Sequence, residues 1–202
     1  MDFSKITAQE VLGMIQSGTS GDNGLILKWD YFDTYTLGSD LEYDFFQIPQ
    51  GQGTPQKRPW DTNNRLAGVI PAVQKMFVTS IGLGIIAIAA LTPEQQKDLF
   101  TWISSSFFAF DIQNKANVLE LTGEKLIGSD ILLAGDNTVN GNYLPITNNP
   151  HFYEISNKLE NSIQLAGNTP FKICASWASV PDSIQDVIKL RVTLRGILVR
   201  PT

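Results

Sequence analysis

Cysteine and histidine are almost absent from this sequence, which has one of each among 202 residues. A single cysteine, Cys174, excludes an internal disulfide and a cysteine-based zinc cage. It follows Ile173 in a strand-like run, which is typical of a small buried residue and not of a reactive thiol. His151, in the turn-like stretch ITNNPHFY, is interpreted as a surface or capping residue. Because acid–base and nucleophilic catalysis usually needs such side chains, the sequence predicts no enzymatic activity, no metal site and no cofactor.

Charged residues are also scarce. They make up 17% of the chain, against about 25% in ordinary soluble domains. The surface is therefore expected to be rich in Asn, Gln, Ser and Thr, which suits contacts with neighbouring subunits. The formal net charge is −5 and the isoelectric point about 4.8, so the electrostatic field does not favour a polyanion. We expect no sequence-specific nucleic-acid binding.

Long hydrophobic runs are missing as well. The longest, Ile81 to Leu91, is too short for a transmembrane helix, which needs about 20 apolar residues, and its β-branched residues favour a buried strand. The N-terminal sequence MDFSKITAQE lacks the basic and apolar regions of a signal peptide. Export by that route is not expected.

Two short motifs match binding sites only formally. GLGIIA, residues 82–87, fits the dinucleotide fingerprint, but that motif should open a helix and be followed by an acidic residue about 20 positions later. DNTVNG, from Asp136, resembles a calcium loop, yet Thr138 and Thr147 stand where the third and twelfth ligands belong. We interpret the first as part of a strand and the second as a turn.

A cluster of acids could supply the carboxylate pair of a glycosidase. These acids alternate with the hydrophobic residues of two strand-like segments, so they are interpreted as the solvated face of a hairpin. They are Asp30, Asp33, Asp40, Glu42 and Asp44.

The first residues predict a short amphipathic helix. Thr7 and Glu10 have the spacing of a capping box, and Val11, Leu12 and Ile15 fall on one helical stripe. The Gly- and Ser-rich stretch that ends at Gly24 indicates a hinge, so residues 1–24 are predicted to be an arm and residues 25–202 one domain. Since a flexible linker cannot hold the arm, we expect its stripe to contact another subunit or an underlying layer.

Period-two alternation predicts an all-β fold. It predicts a hairpin from strands near 25–37 and 41–48, a long strand from Met76 to Ala90 with a bulge at Gly82 or Gly84, and strands in SFFAFDIQ, NVLEL, LIGSDILL and FKICASW. The C-terminal strand places Ile188, Leu190, Val192 and Leu194 opposite Lys189, Arg191 and Arg195. One inserted helix, 93–104, starts with Thr92 as cap and Pro93 behind it. With no repeats and no βαβ alternation, the prediction is an antiparallel two-sheet sandwich of the jelly-roll type.

A long polar connection, Gln47 to Arg65, is the second candidate contact region. It carries Lys57, Arg58 and Arg65 around Trp60. Such a loop is usually functional or mobile. A plain solvated loop, a subunit contact and a phosphate- or base-binding site are the alternatives, and the negative net charge disfavours the last.

Several landmarks together resemble the coat proteins of tailless icosahedral phages, including those with an internal membrane. The landmarks are TNNRLAGVIP from Thr62, the strand from Phe77 to Ile88, and the ending LRGILVRPT. The resemblance implies a single jelly-roll capsid subunit, major or minor, that is located in the virion and in the host cytoplasm before assembly. Its partners would be copies of itself, other capsid proteins and a possible membrane layer. It carries over no catalytic residues.

Two other functions remain open on the sequence. A receptor- or glycan-binding sandwich, either at a vertex or lectin-like, uses the same scaffold with ligand sites in its loops. A small sandwich hydrolase is the third alternative.

Overall fold

The computed structural model describes residues 5–17, 24–113, 115–127 and 151–201. Within them the chain forms three α-helices and nine strands. The helices are α1 (Ala8–Ser17), α2 (Pro93–Ser104) and α3 (Gly123–Ile127). The strands are β1 (Gly24–Thr36), β2 (Glu42–Phe45), β3 (Lys75–Ala87), β4 (Phe107–Ile112), β5 (Lys115–Thr122), β6 (His151–Glu154), β7 (Ile163–Ala166), β8 (Phe171–Ser176) and β9 (Ile188–Pro201).

The strands form two antiparallel sheets. A five-stranded sheet has the order β1-β9-β3-β6, with β7 also paired to β3, and a four-stranded sheet has the order β2-β8-β4-β5. The predicted all-β fold with two antiparallel sheets is confirmed. Both β6 and β7 pair with the same edge of β3, β6 opposite residues 80–83 and β7 opposite residues 75–78.

The inner faces of both sheets supply one core. From the five-stranded sheet, Leu190, Val192 and Leu194 of β9 are fully buried, as the alternation predicts. From the four-stranded sheet, Ile173 and Ala175 of β8 are also fully buried. Each large apolar side chain buried in this way contributes roughly 1.5–3 kcal/mol, so this shared core is what holds the two sheets together.

The bulge of β3 lies earlier than the sequence suggests. The register with β9 shifts between Val78 and Ser80, whereas Gly82 and Gly84 pair in regular register. Gly196 lies opposite Val78, and a Cβ on Gly196 would come within 1.9 Å of the Phe77 carbonyl oxygen. The close approach of two backbones explains why glycine interrupts the C-terminal strand.

Helix α2 has its predicted bounds and its predicted cap. Gln95 N donates to Thr92 Oγ1 and Thr92 N donates to Gln95 Oε1, at 3.3 and 2.9 Å. Leu99, Trp102 and Ile103 are buried, but Phe100 is 38% exposed and does not belong to the apolar side.

Other local predictions are wrong. The hairpin of β1 and β2 does not form, because β1 pairs with β9 in one sheet and β2 with β8 in the other. Alternation identifies each strand but does not tell whether the next strand turns back or crosses to the facing sheet. In LIGSDILL, Leu126 and Ile127 belong to α3, and the remainder lies outside the described residues. Strand β3 ends at Ala87 and not at Ala90, whereas the interpretation of GLGIIA as part of a strand is confirmed, because these six residues close β3.

The boundaries of the predicted arm and domain shift slightly. Gly24, assigned to the hinge, is the first residue of β1, and His151 begins β6 and is not in a turn. The hinge residues 18–23 and the predicted turn DNTVNG, residues 136–141, lie outside the described residues. No helix in the described part of the chain has the length and apolar character needed to cross a membrane.

Candidate interaction surfaces

Helix α1 packs on the outer face of the five-stranded sheet, away from the shared core. Ile6, Ala8 and Val11 form a second apolar cluster with Phe77 of β3 and Val199 of β9. Val11, Phe77 and Val199 are each fully buried. The chain therefore covers this part of the outer face with its own N-terminal segment.

Polar contacts hold the start of the helix. Thr7 N donates to Glu10 Oε2 at 2.7 Å, and Glu10 N donates to Thr7 Oγ1 at 3.3 Å, which is the predicted capping box. Lys75 Nζ donates to the Ile6 carbonyl oxygen at 2.7 Å and lies 5.1 Å from the centre of the Phe77 ring. Burial lowers the pKa of Lys75, and the nearby Glu10 carboxylate partly opposes that shift.

The predicted contact stripe of the arm is only partly available to a neighbour. Val11 is buried within the chain and Leu12 is half-buried, whereas Ile15 is 47% exposed. The expectation that another subunit or layer must cover this stripe is wrong for Val11, which the body of the same chain covers, and contact of Leu12 and Ile15 with a neighbour stays a prediction. The reason is that the outer face of β9 is cationic only up to Arg195 and becomes apolar at Ile197 and Val199, where α1 docks.

The loop between β2 and β3 closes the edge of β1. Phe32 N donates to Asn63 Oδ1 at 2.8 Å, Asn63 Nδ2 donates to the Asp30 carbonyl oxygen at 2.8 Å, and Thr62 Oγ1 donates to the Phe32 carbonyl oxygen at 3.1 Å. Thr62 and Asn63 thus hydrogen-bond to backbone groups of β1 that would otherwise be unpaired at the edge of the sheet. We call Thr62, Asn63 and Asn64 the edge clamp.

Behind the edge clamp lies a buried polar network. Asn64 accepts a hydrogen bond from the Tyr31 hydroxyl and donates one to the Phe46 carbonyl oxygen. Asp33 is fully buried, accepts from Phe46 N at 2.7 Å, and pairs with Lys57 Nζ at 2.5 Å. Burial, with a smaller contribution from Asp33, raises the pKa of Tyr31.

This network corrects two interpretations. Asp33 was assigned to a solvated hairpin face, and it is instead the buried partner of an ion pair. Lys57 was a candidate subunit contact, and it is instead engaged inside the chain. A buried carboxylate needs a partner of this kind.

The tip of the same loop remains exposed. Trp60 is 58% exposed, and the Arg58 guanidinium lies 5.2 Å from the centre of its ring. Asp61 N donates to the Arg58 carbonyl oxygen at 2.9 Å, and Arg191 Nη2 donates to the Trp60 carbonyl oxygen at 2.6 Å. We call Arg58 and Trp60 the Trp60 knob. The fourth candidate of this loop, Arg65, is also exposed.

Three cations of β9 have partners in the same chain. Arg195 binds both carboxylate oxygens of Asp30 at 2.9 Å, and Lys189 pairs with Asp61 at 3.4 Å. Arg191 lies 4.9 Å from the centre of the Phe32 ring. Lys189 and Arg195 are thus paired with acids of the same chain.

The outer face of the four-stranded sheet has a different chemistry. Cys174 and Ala109 lie side by side on its two central strands, and Phe107 near them is 37% exposed. Glu42 and Asp44 border them on β2, and Glu120 borders them on β5. These six residues are called the acidic face. Lys172 pairs with Asp44 at 2.8 Å, and burial raises the pKa of the Cys174 thiol to about 11.

Sequence reasoning missed this face because its members come from four separate segments. Glu42 and Asp44 were recognised as solvated positions, but their alignment with Cys174 and Ala109 depends on long-range strand pairing. No signal within any one segment identifies that pairing.

An open pocket of about 450 Å³ lies beside the loop. Its walls include Tyr35, Tyr43, Asp40, Asp186 and Lys189. The two tyrosine rings stack at 3.9 Å between their centres. Carboxylates and aromatic rings in one pocket are able to bind a hydroxyl-rich ligand. Among the described residues, no group of three or more His, Cys, Asp or Glu side chains is placed to hold a metal ion.

No known family matches the sequence, and no curated protein matches it either.

Proposed function

We propose that this chain is a structural coat subunit of an icosahedral virion, built on a single jelly roll. The jelly roll is supported by the order in which the chain visits the two sheets. If β6 and β7, which lie along the same edge of β3, count as one interrupted strand, eight strands form two four-stranded sheets. The order is then β1-β9-β3-β6/β7 facing β2-β8-β4-β5, with crossings between the sheets at most connections. Double-sheet jelly rolls have eight strands in two Greek keys.

Jelly rolls serve in viral capsids and also in lectins, so the surfaces must carry the functional argument. The observation that favours assembly is the Trp60 knob. A large aromatic side chain is left 58% exposed on a loop that the edge clamp and Arg191 hold in place. Exposed aromatic and arginine side chains on an ordered scaffold are typical of protein–protein contacts.

The test is the assembly state of the purified full-length chain. Sedimentation velocity over a range of concentrations, followed by electron microscopy, is expected to show pentamers, hexamers or particles. A chain that remains monomeric at every concentration would contradict the proposal.

A glycan-binding module is the second candidate, favoured by the pocket of Tyr35 and Asp186. In that case Asp186→Ala should abolish binding to immobilised glycans and leave the sedimentation coefficient unchanged. Glycan binding without any assembly would favour this function over the coat subunit.

A further inference from the structure

The Trp60 knob has the features of a binding hot spot, a residue that supplies much of the free energy of binding. Its ring is 58% exposed, and the backbone of its turn is held by Asp61 N donating to Arg58 O and by Arg191 donating to Trp60 O. A turn held in this way loses little backbone freedom when a partner covers it. The knob therefore presents one apolar ring on an ordered turn, with the Arg58 guanidinium 5.2 Å from the centre of that ring.

The acidic face presents the complementary features. Its centre consists of the small side chains of Ala109 and Cys174, with Phe107 near them 37% exposed. Glu42 and Glu120, both exposed, stand on the two edge strands that flank this centre. The middle of this face is thus lined by small and apolar side chains, with an exposed glutamate on the strand at each side.

One copy of the chain cannot bring the two surfaces together. Arg191 alternates with the core-facing Leu190 and Val192, so it points away from the core on the five-stranded sheet, and it binds the Trp60 carbonyl oxygen. The acidic face is the outer face of the other sheet. The knob and the acidic face consequently lie on opposite sides of the sandwich.

We infer that copies of this chain join head to tail, with the Trp60 knob of one copy seated on the acidic face of the next. The inference rests on the proposed function, self-assembly. Since each copy carries a net charge of −5, copies repel one another unless opposite local charges meet. Arg58 then faces Glu42 or Glu120, and Trp60 covers Ala109 and Cys174. A contact between two different patches closes into rings when its rotation allows.

Charge reversal with rescue tests this contact. Arg58→Glu should weaken assembly, measured by sedimentation, by at least about tenfold, since a central interface charge becomes repulsive. The matched control is Lys97→Glu on α2, an exposed lysine outside both surfaces, which should leave assembly unchanged. Adding Glu42→Arg or Glu120→Arg to Arg58→Glu should restore it. If neither restores assembly, the inference is wrong.

Cross-linking provides an independent test. Pro59 is exposed beside the knob, and Thr122 is exposed on β5, paired with Phe107 of the acidic face. In a Cys174→Ser background, Pro59→Cys with Thr122→Cys, treated with a short bis-maleimide, should join residue 59 of one copy to residue 122 of another. Pro59→Cys with Ile88→Cys, at a residue 56% exposed elsewhere, is the control and should give no 59–88 product. A monomeric wild-type chain overturns both proposals. Assembly that is unaffected by Arg58→Glu and gives no 59–122 product overturns this inference alone.

Discussion

The outer faces of the two sheets differ in what covers them. On the five-stranded sheet, α1 packs over Phe77 and Val199, and the edge clamp closes the side of β1. Lys189 and Arg195 of this face are paired within the chain. The acidic face of the four-stranded sheet has no such segment among the described residues, and its centre contains Phe107, partly exposed.

The two outer faces of the sandwich therefore have different roles. Both sheets bury their inner faces in one shared core, so the inner faces explain the fold and say nothing about partners. The covered outer face adds stability to the single chain. The uncovered outer face leaves apolar area exposed in the monomer, and a neighbouring subunit can cover that area.

The largest effect is expected at the buried ion pair behind the edge clamp. Asp33→Ala leaves the amine of Lys57 buried without its partner, which should cost about 3–5 kcal/mol of unfolding free energy. Urea denaturation measures it. The double variant Asp33→Ala with Lys57→Met should lose less than Asp33→Ala alone, because no unpaired charge remains. Equal losses in both variants would show that the charge is not the cause.

The two faces of β9 provide the second prediction. Leu190 is fully buried, so Leu190→Ala should cost about 2–5 kcal/mol through lost burial and a cavity. Arg191→Ala, one residue away on the outer face, should cost about 1 kcal/mol through its hydrogen bonds to Trp60 and Thr34. Thermal denaturation of both variants provides the comparison. A larger loss for Arg191→Ala would mean that the core side of this strand is assigned wrongly.

Local patterns explain which parts of this fold the sequence predicts. The capping box of Thr92 and Gln95 and the alternation of β9 involve neighbouring residues, and both are confirmed. The pairing of β1 with β9 joins residues far apart in sequence, so alternation led to a wrong hairpin instead. Long-range pairing depends on the packing of the whole core, which no single segment encodes.

The roles of the candidate contact residues also depend on long-range contacts that one segment does not encode. The exposure of Arg58 and Trp60 follows from their polar, proline-rich loop. The burial of Lys57 depends on Asp33, 24 positions earlier, and the burial of Val11 depends on Phe77 and Val199. In each case the partner that decides the role of the residue comes from a distant strand.

The third prediction concerns the covered face. Val11→Ala removes two methyl groups from a fully buried site and should lower the unfolding free energy by about 1.6 kcal/mol, at about 0.8 kcal/mol per group. Ile15→Ala, at a residue 47% exposed on the same helix, is the matched control and should change it much less. The measurement is denaturation at a concentration where the protein is monomeric. No loss for Val11→Ala would show that the arm is not docked in solution.

The exposed ion pair of Arg195 and Asp30 on the same face should contribute little to the unfolding free energy. The side chains of Arg195 and Asp30 are 49% and 45% exposed, and such pairs contribute roughly 0–1 kcal/mol even with good geometry. Arg195→Ala should therefore cost under about 1 kcal/mol in urea denaturation at low salt. The cost should shrink in 1 M NaCl, because salt screens exposed charges. A cost that is unchanged by salt would point to the contact of Arg195 with Phe152.

On the uncovered face, the expected effect is on the reactivity of Cys174 and not on stability. Burial, followed by the hydrogen bond and charge of Asp44, raises the pKa of Cys174 to about 11. Alkylation needs the thiolate, and at pH 8 that form is on the order of a hundredfold rarer than in a free cysteine of pKa about 8.5. Iodoacetamide should thus react slowly with the folded monomer at pH 8 and faster as the pH rises toward 11. Urea-unfolded protein, as the control, should react quickly at pH 8.

Asp44→Asn removes a negative charge that disfavours the thiolate of Cys174, so it should speed this alkylation in the folded state. Mass spectrometry follows the reaction. A folded monomer that reacts as fast as the unfolded chain would show that the centre of the acidic face is more open than these contacts imply.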